Sequence, residues 1–182
     1  MLRLVLNEDH LAGALGEMLN RCRHRLLIAT ADVKDVHVPP AIFSSGPAAR
    51  RRAESIFVIL GRLSGRGVQV RLLHGGVPSG PFLAELRAGV PCNLTMRRCP
   101  RVHAKAIIAD GRFMYLGSAN LTGAGLGAKS PRRRNFEAGI CTDDVALIDP
   151  VADMLEAIWD GSRCGDCGRK RYCPVPLEQP DL

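Results

Sequence analysis

"HAKAIIADGRFMYLGSAN", residues 103–120, decides how the rest of the chain reads. Asp110-Gly111 has the chemistry of a two-residue hairpin turn, because glycine adopts positive φ without steric cost and aspartate is tolerated beside it. The runs on either side, 102–109 and 112–120, then read as antiparallel strands. Counting outward from the turn sets 109 opposite 112, 105 opposite 116 and 103 opposite 118. Cross-strand partners share a face, and so do residues two apart on one strand. His103, Lys105, Ser118 and Asn120 are therefore expected on one side, with Phe113 and Tyr115 on the other. Gly117, between Ser118 and the strand, leaves room for a ligand or another backbone to come close. An ammonium, a hydroxyl and an amide beside an imidazole suit a phosphate group: charge from lysine, hydrogen bonds from serine and asparagine. The imidazole can attack phosphorus or move protons near neutral pH.

Around this hairpin the chain alternates between helix and strand. Leu11, Leu15, Met18, Leu19 and Cys22 fall at helical spacing, and "RLLIATADV" (25–33) reads as a buried strand. Residues 33–52 hold Pro39, Pro40 and Pro47 and read as a loop. Ile56, Ile59, Leu60 and Leu63 mark a second helix, stopped by "GRG" at 65–67. "VQVRLLHGG" (68–76) is another buried strand, 81–88 a short helix, and "CNLTMRR" (92–98) and "RRRNFEAGICT" (132–142) are further strands. Asp149 and Pro150 look like the cap and first turn of a last helix carrying Val151, Met154, Leu155, Ile158 and Trp159. Strands separated by helices imply an α/β sandwich: a mixed central sheet flanked by helices. From Gly161 the composition shifts to Cys, Arg, Gly and Pro, so residues 1–160 read as one domain and 161–182 as a short Cys-rich basic tail.

The composition is that of a soluble globular protein, 46% hydrophobic and 24% charged. The net charge of +7, with 21 of 25 basic residues being Arg, favours an anionic partner: nucleic acid or an anionic lipid surface. "MLRLVLNEDHLAG" meets polar residues before a long apolar run forms, which excludes a secretory signal, and no run of 18 apolar residues suggests a transmembrane segment. The expected location is the cytoplasm. Seven cysteines in a reducing compartment point to burial or metal rather than disulfides.

The spacing His103-x-Lys105-x4-Asp110-x6-Gly117-Ser118-x-Asn120 resembles the HKD motif of the phospholipase D superfamily, six fixed positions over eighteen residues. "GRGVQVRLLHG" resembles the helix-to-strand segment before that motif, and "RNFEAGI" (134–140) the strand after it, which carries an acidic residue, here Glu137. The resemblance covers about residues 7–160 and is to short, single-motif, nuclease-like bacterial members. It implies that His103 attacks a phosphodiester to form a phosphohistidine that water resolves. Lys105 and Asn120, helped by Ser118, would hold the phosphoryl oxygens, and Glu137 would orient the histidine. Asp110 completes the motif at the turn, where a role in structure or charge fits better than substrate contact. No catalytic cofactor is implied. The chemistry needs two histidines, and His10, His24, His37 and His74 lack a lysine two residues on. The expected assembly is a homodimer in which each chain gives one His103, as the single-motif members do. His24 or His74 could serve instead, but each reads as structural.

The family divides mainly into nucleases and lipid hydrolases or transferases, so the fold does not choose the substrate. "KSPRRRN" (129–135) places Arg132, Arg133 and Arg134 at the rim of the cleft, and Arg97, Arg98 and Arg101 lead into the hairpin. This basic set could track a nucleic-acid backbone or be a solvated loop. A hydrolase of an anionic phospholipid such as cardiolipin remains the alternative, with Ile42 and Phe43 of the proline-rich loop as the residues to dip into a bilayer. A non-catalytic nucleic-acid-binding module is a third reading. In the tail, Cys164-x2-Cys167-x5-Cys173 is one thiol short of a closed metal site, and Cys92, Cys99, Cys141 or a partner chain could complete it. A structural zinc ion, an iron–sulfur cluster and free or redox-active thiols all fit that spacing.

Overall fold

The computed structural model describes residues 1–34, 36–43, 46–173 and 175–179, with the backbone alone for Gly46 and Ala48. Asp35, Ser44 and Ser45 of the expected loop, and the last three residues of the tail, lie outside the described residues. A seven-stranded mixed sheet runs through the molecule in the order β1-β9-β8-β7-β2-β5-β6. Its strands are β1 (Leu2–Leu6), β2 (Arg25–Thr30), β5 (Gln69–His74), β6 (Leu94–Arg98), β7 (Ala106–Ala109), β8 (Phe113–Gly117) and β9 (Ala138–Thr142). β2, β5 and β6 are parallel, and the remaining pairs are antiparallel. The other two strands, β3 (His37–Val38) and β4 (Glu54–Ser55), pair with each other inside the proline-rich segment.

Helices cover both faces, so the central strands are apolar on both sides, and "LLIA" of β2 is buried throughout. On one face a π-helical segment (His10–Gly16), α1 (Glu17–Arg21), α2 (Ile56–Gly65) and α3 (Gly80–Ala88) pack over the larger core. Ser55 caps α2, its Oγ accepting from the Val58 N–H at 3.3 Å, and Gly67 at φ +90° lets the chain turn into β5. On the other face α4 (Val145–Trp159) packs Ile148, Leu155 and Trp159 against Leu27, Ala29, Leu73, Ile108 and Met114. Ile42 and Phe43 lean on the larger core, and Ile42 lies so close to Gly16 that a β-carbon there would meet its Cγ2 at 2.2 Å. These two half-buried side chains are part of the packing.

Three local readings are corrected. The hairpin pairs Ala109 with Phe113, not with 112: the N–H of Arg112 closes onto the Ala109 carbonyl at 3.0 Å, so Arg112 joins Asp110 and Gly111 in the turn. The last helix begins at Val145, capped by Asp144 accepting from the Ala146 N–H at 3.0 Å, and Pro150 lies inside it. The first residues form an edge strand that the sequence reading left unassigned, with Leu2, Leu4 and Leu6 exposed along one face. No helix among the described residues is long and apolar enough to cross a membrane.

Candidate active site

His103, Lys105, Ser118 and Asn120 gather at one edge of the sheet, where β2, β5 and β8 end and β7 and β9 begin. His103 sits in the extended connection before β7. Gly75 makes room for that connection, since a β-carbon there would meet the Val102 carbonyl at 2.4 Å. The one-residue shift in register brings Lys105 level with Gly117, whose N–H donates to the Lys105 carbonyl at 3.0 Å. His103 and Lys105 precede the ladder and Ser118 and Asn120 follow it, so the shift does not scatter them.

Lys105 Nζ lies 3.0 Å from Nδ1 and 3.2 Å from Nε2 of His103 and donates to the His103 carbonyl at 2.7 Å. The His103 side chain is open to solvent, whereas Lys105 is buried. Burial holds the Lys105 ammonium below the ordinary lysine range, and the nearby Glu137 charge pulls the other way. Ser118 Oγ donates to Glu137 Oε2 and accepts from the Ala138 N–H at 3.0 Å. Asn135 Nδ2 donates to the second Glu137 oxygen at 3.0 Å. Asn120 Oδ1 accepts from the Ala31 and Asp32 N–H groups at 3.1 and 3.2 Å. Two backbone donors on one atom fix it as the oxygen, which turns the Nδ2 donors of Asn120 the other way.

Several expected roles change with the geometry. Glu137 makes no hydrogen bond to His103 among the described residues; its carboxylate instead holds Ser118 and Asn135. Gly117 serves strand packing: a β-carbon would meet the Tyr115 hydroxyl at 2.4 Å and Gly139 Cα at 2.7 Å. Asp110, a member of the motif, stands at the opposite end of β7 from the site. It accepts three backbone N–H bonds, from Arg23, His24 and Arg25, each at 2.8 Å. Burial alone would raise its carboxyl, but those donors outweigh it and hold the group below the usual carboxylate range. Of the basic rim, Arg132 and Arg133 are exposed on a short 3-10 turn (Pro131–Arg133), while Arg134 pairs with Glu8 at 3.6 Å. Arg97 binds the Trp159 carbonyl, Arg98 binds Glu178 and Arg101 the Cys167 sulfur, so these three are engaged within the chain.

Neither alternative histidine is placed to act. His24 is exposed at the Asp110 end, and His74 is buried with Nδ1 against the Gly76 carbonyl at 2.8 Å. Residues outside the expected polar set support the site from below. Asn7 clamps Glu137 by two bonds, its N–H donating at 2.9 Å to the Glu137 carbonyl and its Oδ1 accepting at 3.2 Å from the Glu137 N–H. Tyr115 accepts from the Ala119 N–H at 3.3 Å and meets the His10 ring edge-on at 5.5 Å. Phe136, next to Glu137, is 97% exposed.

Fold and site together are those of a phospholipase D-like domain. The family profile "Cardiolipin synthase, PLD-like domain" matches residues 15–159, and the chain belongs to that family. Cardiolipin synthase A of Pseudomonas entomophila is 33% identical over 122 residues, 60% of this chain and 23% of the relative, so the chain spans about a quarter of that protein. NucT from Helicobacter pylori superposes with a TM-score of 0.63 at 15% identity, over 88% of this chain and 96% of that one. Nuc from Salmonella typhimurium, a phospholipase D family member, gives 0.59 at 16% identity over 88% and 94%. Both structures share the fold.

Proposed function

We propose that the chain is a phosphodiesterase that cuts nucleic acid without a catalytic metal, through a phosphohistidine on His103, as a homodimer. The observation that carries this reading is the His103–Lys105 pair. A lysine ammonium offers only protons, and here it leans on the imidazole. A phosphodiester oxygen is the stronger, charged acceptor, so substrate would draw Nζ away and leave the imidazole facing phosphorus. Asn120 Nδ2 lies on the same edge to bind another phosphoryl oxygen, and Ser118 would join it by turning its hydroxyl away from Glu137. A ring nitrogen of His103 then forms a bond to phosphorus as the bond to the leaving alkoxide breaks. The partner's His103 gives that alkoxide its proton, and afterwards takes one from the water that cleaves the N–P bond.

Support for the dimer comes from the single His-x-Lys and from the apolar face of β1. Leu2, Leu4 and Leu6 are 66%, 64% and 44% exposed and continue into the half-buried Leu116 and Ile140 beside the site. Support for nucleic acid comes from exposed Arg132 and Arg133, with Phe136 offering a bare aromatic face on which a base can stack. The likeness to cardiolipin synthase A favours the second reading, an anionic phospholipid.

The test is brief incubation of supercoiled plasmid and labelled single-stranded DNA in excess EDTA, with His103→Ala alongside. Cutting that vanishes in the variant supports the proposal. No cutting of either DNA by the folded dimer, with hydrolysis of cardiolipin vesicles instead, overturns the nuclease in favour of the lipid reading.

A further inference from the structure

Seven cysteines are free, and the structure divides them sharply. Cys22 is buried with its thiol toward Asp110 at 3.7 Å, and burial pushes it up to about 12. Cys141 is buried and donates to the Gly13 carbonyl at 3.5 Å, while Cys92 lies by Ser64 at the foot of α2. The other four, Cys99, Cys164, Cys167 and Cys173, line one cavity of about 520 Å³ between α4, the β6–β7 connection and the tail. The sequence left the tail's fourth partner open among Cys92, Cys99, Cys141 and a partner chain, and of the three cysteines the fold brings only Cys99 to the tail thiols.

We propose that Cys99, Cys164, Cys167 and Cys173 form a tetrathiolate site for one zinc ion, which clamps the tail to the segment that carries His103. Two thiolates two residues apart on a glycine-rich turn chelate one ion readily, and four complete the tetrahedron that zinc adopts in structural sites. The thiols surround the cavity without yet converging: among the described residues no three ligating side chains stand ready to hold an ion. Closure falls to the turn, where Gly165 and Gly168 have open space around them. One Zn²⁺ with four thiolates carries a net charge of −2, and the same cavity is lined by Arg101, Arg163, Arg169 and Lys170. Arg101 Nη1 already reaches Cys167 Sγ at 3.6 Å. All four thiols are half-exposed, surroundings that a redox-inert ion tolerates.

The consequence for the active site lies in four residues of chain. The Cys99 N–H donates to the His74 carbonyl and its carbonyl accepts from Val102 N–H, both at 2.8 Å, immediately before His103. An ion on Cys99 therefore fixes the approach to the histidine from outside the reacting groups. Its role is positioning, and it is independent of which phosphodiester is cut.

The test is the metal content of the full chain, purified without chelator, with Cys92→Ser, Cys99→Ser, Cys164→Ser and Cys173→Ser alongside. Expected is one zinc per chain in the parent and in Cys92→Ser. After competition with a chromophoric chelator, each of the other three should retain less than a tenth of that. Cobalt substituted into the parent should show the intense thiolate charge-transfer and visible bands of a tetrahedral sulfur site, altered in Cys99→Ser. Should Cys99→Ser not fold, the two tail variants decide, because they lie outside the sheet. The assignment is overturned by a parent that holds no zinc after refolding with the ion, or by iron with acid-labile sulfide in its place. Retention in Cys99→Ser equal to the parent also overturns it.

Discussion

Replacing Asp110 by alanine should cost stability and leave chemistry intact, although the residue belongs to the motif. Its carboxylate takes the N–H groups of Arg23, His24 and Arg25, at 2.8 Å each. Two of these bonds are exposed, so water replaces the lost acceptor and each is worth about 1 kcal/mol; the part-buried bond from Arg25 to a charged acceptor is worth about 2. The total of about 4 kcal/mol corresponds to a Tm lower by about 10 °C for a domain of this size. The candidate site lies beyond the other end of β7, with Lys105 about 17 Å away at the usual rise per residue. Turnover per folded molecule should therefore stay within about twofold of the parent, judged against the ~1.4 kcal/mol that a tenfold change requires. The pH dependence has a definite sign. The folded carboxyl lies below its unfolded value, so its stabilisation is full above about pH 4 and is lost as pH falls through the folded pKa. Thermal melts at pH 7 and in the acid range would show the gap between parent and variant closing as pH drops. A variant with unchanged Tm but no activity would refute this assignment.

Three other outcomes follow from packing and charge. Gly117→Ala sets a β-carbon 2.4 Å from the Tyr115 hydroxyl and 2.7 Å from Gly139, so β8 and β9 must part; a loss of about 2–3 kcal/mol by denaturant titration is expected, together with reduced activity. Leu4→Glu puts a charge in the exposed apolar row of β1 and should give a folded monomer by light scattering, with activity at least 100-fold down. The double change of Arg132 and Arg133 to alanine should weaken DNA binding, flatten its salt dependence by about 1.5 in slope and leave kcat unchanged.

Much of this was legible because the signals were local. Alternation and the Asp-Gly turn placed the hairpin, and the apolar runs of β2 and β5 are those of strands buried on both faces. The error of register arose because a turn's length depends on whether Arg112 pairs with its neighbour across the hairpin or closes the turn, a choice that residue type leaves open. β1 was missed although Leu2, Leu4 and Leu6 alternate with Arg3 and Val5: the leucines face outward, the reverse of the usual pattern for a strand covering a core. Pro150 has the residue type of a first turn, yet Asp144 begins the helix one and a half turns earlier. The motif named the polar set, but not what holds it. Asn7 under Glu137 and Tyr115 against Gly139 are contacts between residues 130 and 24 positions apart, and local spacing does not carry them. The same holds for Cys99, which joins the tail thiols only through the fold.

The central claim is that His103 becomes bonded to phosphorus. The most direct measurement is to mix the protein in EDTA with DNA carrying ³²P at the scissile phosphate, quench in alkali, where phosphohistidine survives, and look for label on the chain. The account expects label on a peptide containing His103, absent in His103→Ala and lost from the protein on further incubation before the quench, as water hydrolyses the N–P bond. Cleavage that proceeds at full rate with no label ever on the protein, or with label on another residue, would contradict it.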